Sequence, residues 1–187
     1  APRAGVNIVT VHDGFTLADL VSYEGKHNEA NGEENRDGSD NNESTNCGVE
    51  GPTDDAGVLA HRVALRAAQI ACLMLAQGIP LLLAGDEVGN GQAGNNNTYC
   101  QDNEVGWIDW SKAGVEGEDL SDLVAKFAGL RRRFPQLRPR HWLQPVNSGG
   151  QQQAMWLTPT AGEMQEQDWN FSEGRFLSYV LGTVEPS

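Results

Sequence analysis

Twice along this chain a short apolar run stops at a polar tip and is followed by a polar loop and a helical pattern. Residues 6–11 (Val-Asn-Ile-Val-Thr-Val) are rich in β-branched side chains, do not alternate strictly, and stop at His12-Asp13-Gly14. Residues 80–84 (Pro-Leu-Leu-Leu-Ala) are apolar throughout and stop at Gly85-Asp86-Glu87. Short runs without alternation suit strands buried on both faces, as in a parallel sheet. A short helix is predicted over Phe15 to Tyr23, with Leu17, Leu20 and Val21 on one side. The clearest helix is predicted over Val58 to Gln77, where Leu59, Val63, Ile70 and Met74 recur at helical spacing and Arg62, Arg66 and Gln69 mark a polar side. Its second half is apolar nearly all round, so that end is expected to be buried, with Cys72 as a small core residue, and Gly78 stops it. Another helix is predicted from Asp119 to Arg133, with Leu120, Leu123, Val124, Phe127 and Leu130 as its core face. Glu118, Asp119 and Asp122 at its start and Arg131, Arg132 and Arg133 at its end both favour the helix dipole. Pro135 prevents its continuation. Two successive βα units imply an α/β fold with a parallel sheet or part of a (β/α)8 barrel, which two units cannot close.

After Pro145 the texture changes. Ser148-Gly149-Gly150 has the composition of a turn or linker, and Met155 to Thr158 and Phe176 to Leu181 read as strands with no helix between them. A boundary is therefore expected near residue 145, with residues 146–187 beginning an all-β domain. The first residues, Ala1-Pro2-Arg3, include no initiating Met and no signal peptide, so a piece of a longer protein is expected. The formal net charge of -13 argues against nucleic-acid binding, which needs clustered basic residues. Cys47, Cys72 and Cys100 are odd in number and not spaced as a zinc or redox pair, so the expectation is a reducing cytoplasm, no metal and no cofactor. The stretch from Asp37 to Glu43 does not have the spacing of an EF-hand loop. No run reads as a membrane span.

In parallel α/β folds, functional groups gather at the C-terminal ends of strands. His12-Asp13 and Asp86-Glu87 occupy those ends, and two long polar loops, from Lys26 to Asp55 and from Gln92 to Asn103, emerge there too. Carboxylates at such a mouth suit glycoside hydrolysis, in which one acid protonates the leaving oxygen and another group traps the sugar. Read alone, either pair could equally be a turn or a helix cap.

The longer context is more specific. Residues 9–17 (Val-Thr-Val-His-Asp-Gly-Phe-Thr-Leu) resemble a conserved motif of the isoamylase and glycogen-debranching branch of the α-amylase superfamily. Residues 26–33 with 35–38, residues 77–87, and residues 94–103, which open Gly94-Asn95-Asn96-Asn97, resemble the debranching enzymes of that branch. The resemblance runs from about Val6 to Pro135. It implies that residues 1–145 are the last two βα units of a (β/α)8 TIM barrel and that residues 146–187 start a C-terminal β-sandwich. It further implies that Asp13 is the transition-state-stabilising carboxylate at the end of the seventh strand and that His12 donates a hydrogen bond to the same sugar. Asn95, Asn96 and Asn97 are expected to bind sugar hydroxyls, and Asp86 and Glu87 to give structural support. Trp107 and Trp110 could stack on glucose rings, but packing against the following helix is the expectation. The nucleophile and general acid of the family lie on strands this sequence does not contain, so the chain alone is expected to be inactive. The implied partner is a branched α-glucan. The rival readings are a non-catalytic glucan-binding module and a related branching or transglycosylation activity.

Overall fold

The computed structural model describes residues 5–115, 119–139, 143–146, 149–150 and 152–182; Ala1, Pro2, Arg3, Glu118 and Ser148 lie outside the described residues. The fold is a small mixture of helices and short strands. It divides into two compact units. One takes in the described residues within Ala1–Gly5, Gln77–Ile79 and Arg131–Ser187, and the other takes in Val6–Ala76 and Pro80–Leu130.

Strand β1 (Val6–Asn7) pairs with β2 (Ile79–Pro80). Ile79 N–H donates to the Gly5 carbonyl at 2.9 Å and Leu81 N–H to the Asn7 carbonyl at 2.9 Å. The two bonds advance in the same direction along both strands, so the pair is parallel. Strand β1 is shorter than the run 6–11, β2 shares only Pro80 with the run 80–84, and Val6, Ile8, Ile79 and Leu81 are exposed rather than buried on both faces.

Helix α1 (Leu17–Leu20) is started by Thr16, whose hydroxyl accepts from Asp19 N–H at 3.2 Å. Helix α2 (Ala56–Leu75) is capped by Asp55, which accepts from the N–H groups of Gly57 and Val58. Helix α3 (Ser121–Arg133) begins beside Asp119, whose carboxylate accepts from Ser121 N–H at 2.6 Å. Leu17, Ile70 and Met74 form the buried core, with Val9, Leu120, Leu123, Val124, Phe127 and Ala128 packed against it.

Helix α2 departs from its expected faces. Ile70 and Met74 are buried as the spacing predicts, but Leu59 and Cys72 are exposed while Arg62 and Arg66 are buried. The cause for Arg62 is a loop that folds over that side. The Arg62 guanidinium donates to the carbonyls of Gly51 at 2.8 Å, Asn46 at 2.9 Å and Val49, which replace its water. By length and composition α2 could cross a membrane, contrary to the sequence reading. Its Ile70 and Met74 instead pack on Leu17, as in the core helix of a globular domain.

In the other unit, β3 (Ala154–Leu157) and β4 (Ser178–Leu181) pair antiparallel with Trp156 opposite Tyr179. A four-residue helix, α4 (Glu166–Trp169), lies between them in sequence, where none was expected. It carries a capping box between Gln165 and Asp168 and presents Trp169 edge-on to Trp156, with ring centroids 5.5 Å apart.

Candidate active site

The tip that follows β1 is solvent-facing. The side chains of His12 and Asp13 are each 78% exposed, and His12 Nε2 lies 3.3 Å from Asp13 Oδ1. The carboxylate that follows β2 is the opposite case. Asp86 is 1% exposed and reaches back to the segment that follows β1. Its Oδ1 accepts from Leu17 N–H at 2.8 Å and its Oδ2 accepts from the Thr10 hydroxyl. This buried carboxylate thus binds both ends of the segment that carries His12 and Asp13. Burial pushes the Asp86 carboxyl up to about 6, against the opposing effect of the Thr10 and Leu17 donors; the neighbouring Glu87 adds to the rise and Arg66 opposes it.

Glu87 performs local work. Its carboxylate accepts from Gly85 N–H at 3.0 Å, and its backbone carbonyl accepts from Leu120 N–H at 2.6 Å, just ahead of α3. Asp86 and Glu87 therefore each accept from a backbone N–H.

A second buried carboxylate, not singled out in the sequence, runs in the other direction. Asp19 of α1 is 4% exposed and accepts from Gln92 N–H at 2.6 Å. Burial pushes it up to about 6, opposed by the donors of Gln92, Gly94 and Thr16 and by the charge of Lys112. Gly91 beside it is required by space, because a Cβ there would lie 2.9 Å from Asp19 Oδ1. The Thr16-x-x-Asp19 spacing signals a helix start, but nothing local signals that the acid reaches across to Gln92. Asp19 also lines a cavity of about 430 Å³ with Tyr23, Arg62, Arg66 and Lys112; His12 and Asp13 do not line it.

The amide-rich loops are knitted to one another. Asn28, Asn95 and Asn96 are buried. Asn96 Oδ1 accepts from Asn28 Nδ2 at 2.9 Å, while Asn96 Nδ2 donates to Asn42 Oδ1 at 2.6 Å and to the Ser39 carbonyl at 2.8 Å. Asn95 Nδ2 donates to Asn31 Oδ1 at 2.8 Å, and Asn97 Nδ2 donates to Asp37 Oδ2 at 2.9 Å. A side chain at Gly38 would collide with Asn28 and Asn96, so glycine lets the loops close. The structure therefore differs from the expected sugar-facing role of Asn95 and Asn96: their side chains are buried and bonded to loop residues. Trp107 and Trp110 differ as well, since both are exposed rather than packed, with Trp107 Nε1 donating to Asp102 Oδ1 at 3.0 Å. Among the described residues there is no group of three or more His, Cys, Asp or Glu side chains able to hold a metal ion.

No family model matches the chain. Individual proteins do. A protein named glycogen operon protein GlgX homolog from Mycobacterium tuberculosis is 50% identical over 183 residues, covering 96% of this chain and 25% of that protein. Proteins named glycogen debranching enzyme are 47% identical over 169 residues in Serratia proteamaculans, covering 90% of this chain and 24% of that protein, and 48% identical over 180 residues in Cronobacter sakazakii, covering 96% and 26%. Over most of its own length the chain is similar to these proteins. It spans about a quarter of the length of the curated relatives it matches. The resemblance to debranching enzymes read from residues 9–17, 26–38, 77–87 and 94–103 is borne out by these likenesses, which cover more of the chain than the motifs did.

Proposed function

We propose that this chain is part of a glycoside hydrolase that cleaves α-1,6 branch linkages in glycogen or limit dextrin. In this reading β1 and β2 are the seventh and eighth strands of a (β/α)8 barrel, residues 146–187 start a β-sandwich, and the nucleophile and general acid come from polypeptide outside these 187 residues. The free thiols at Cys47, Cys72 and Cys100 suit a cytoplasmic protein.

The observation that carries the reading is the contrast at the strand tips. Asp13 is exposed, and so open to sugar hydroxyls, on a segment anchored at both ends by Asp86. In a retaining double displacement the nucleophile attacks the anomeric carbon while the acid protonates the branch-point oxygen. The resulting glycosyl ester is then hydrolysed by a water that the same acid, now a base, deprotonates. Asp13 accepts hydroxyl hydrogen bonds from the sugar beside the scissile bond, and those bonds strengthen as charge develops on the ring. His12 donates to the same sugar. Asn95, Asn96 and Asn97 serve this site by setting the shape of its wall.

The test is linkage analysis of products from a full-length protein that carries this segment. Loss of α-1,6 linkages from limit dextrin with release of linear chains supports the reading. Formation of new branches, or of transfer products without free reducing ends, contradicts it. The 187-residue chain alone is expected to release no reducing ends. The exposed Trp107 and Trp110 favour a second reading, a non-catalytic glucan-binding module, in which glucan binds and no linkage is cut.

A further inference from the structure

We infer that Asp86 is a positioning residue for Asp13, acting through the Thr10 hydroxyl and the Leu17 N–H. This inference rests on the hydrolase reading and adds to it the means by which an exposed carboxylate is held in place. The side chains of His12 and Asp13 lie on the segment 11–16, and exposed loop residues with few contacts sample many conformations. The structure restrains this segment at its two ends through a single group. Thr10 and Leu17 are 5% and 1% exposed, and both bond to the same carboxylate, itself 1% exposed. The two bonds close the segment into a loop whose ends cannot drift independently. Leu17 also belongs to the core with Ile70 and Met74, so one end of the closed segment is rooted in packed side chains.

A reciprocal bond stiffens the arrangement. Asp86 reaches from the β2 tip to the β1 tip, and Asp19 reaches from α1 to Gln92 in the loop that follows β2. Each tip is thus held by a buried acid belonging to the other. A group that binds its partner only in the transition state is sensitive to placement, and a misplacement of about 1 Å costs on the order of 100-fold in rate. Ground-state binding, which draws on the whole cleft, is far less sensitive.

The experiment uses a full-length protein that carries this segment, assayed for reducing-end release from a branched limit dextrin. Asp86→Ala removes both anchors, and kcat is expected to fall about 100-fold with KM within about twofold. Asp86→Asn has the same shape: its carboxamide oxygen accepts from Leu17 N–H, and the Thr10 hydroxyl can turn to accept from the amide, so most of kcat is expected to return. Thr10→Val removes one anchor and is expected to cost about tenfold in kcat, and Thr10→Ser, which keeps the hydroxyl, to restore it. Should Asp86→Ala fail to fold, the Thr10 pair decides alone. Folded Asp86→Ala and Thr10→Val proteins with kcat within twofold of the parent overturn the inference, as does a Thr10→Ser protein no better than Thr10→Val. Asp13→Asn, run in parallel, separates two kinds of failure. If it leaves hydrolysis intact, the hydrolase reading of this site is wrong; if it abolishes hydrolysis while the Asp86 and Thr10 variants do not, only the positioning role is wrong.

Discussion

The tip of residues 12–13 and the amide cluster of residues 95–97 both follow short strands and both consist of polar residues, yet the structure treats them oppositely. The side chains of His12 and Asp13 are 78% exposed and contact each other, whereas Asn95 and Asn96 are 1% and 2% exposed and bonded to partners from another loop. The difference teaches that polar composition at a strand end does not identify a binding group. A side chain that has already lost its water to protein partners gains little from a ligand, while one still hydrated can exchange water for sugar hydroxyls. The amides are buried against loop partners, and the His12-Asp13 pair stays open to solvent.

That contrast can be broken or sharpened by several measurements. The largest effect is expected from pH, through the acids that hold the two regions. Burial raises Asp19 and Asp86 from 3.8 to about 6. Each therefore holds its proton more tightly when folded, and the stability this gives is complete below about 3.8 and lost as pH rises through about 6, on the order of 3 kcal/mol apiece. Glu50 acts in the other sense. Burial works to raise it, but the N–H groups of Glu24 and Gly25 with His27 and Asn46 outweigh burial and lower it from 4.5 to about 2, so its contribution is present above 4.5 and fades as pH falls through about 2. Between about 4.5 and 6.5 the buried acids dominate, and the urea midpoint is expected to fall with rising pH. Combining Asp19→Asn with Asp86→Asn should flatten that slope; an unchanged slope would mean other groups cause it.

A smaller effect is expected at the amide cluster. Asn96→Ala removes its side-chain bonds to Asn28, Ser39 and Asn42 and leaves buried partners unpaired, so a loss of about 2–3 kcal/mol is expected from urea unfolding. Amide exchange should accelerate across residues 28–42. A loss under about 0.5 kcal/mol would show that the cluster is hydrated rather than structural. The smallest effect is expected at His12→Ala, within about 0.5 kcal/mol of the parent, because an exposed side chain is removed. A larger destabilisation there would erase the distinction between the two regions.

The two long helices, α2 and α3, were legible in the sequence because their causes are local. Asp55 ahead of an alanine-rich run and Asp119 ahead of Leu120 and Leu123 mark starts that lie within a few residues of the predicted ones. The strands were legible as apolar runs but not in length, since a strand exists only where another segment bonds to it. Faces were misread wherever a distant segment satisfied a polar group. Arg62 reads as surface by spacing, and nothing in the sequence shows that the carbonyls of Asn46, Val49 and Gly51 converge on it. Thr10 and Asp86 are 76 positions apart, so their bond has no local signature. The His12-Asp13 tip was visible through its motif, and its exposure is a fact of the structure.

In the proposed function Asp13 acts on substrate, and its exposed side chain is not part of what holds the fold. The most direct measurement is Asp13→Asn in a full-length protein carrying this segment, with reducing-end release from limit dextrin and urea unfolding recorded on the same preparation. A rate at least about 100-fold lower is expected, with the unfolding midpoint unchanged. Hydrolysis within twofold of the parent, or a loss of rate matched by a loss of stability, would contradict it.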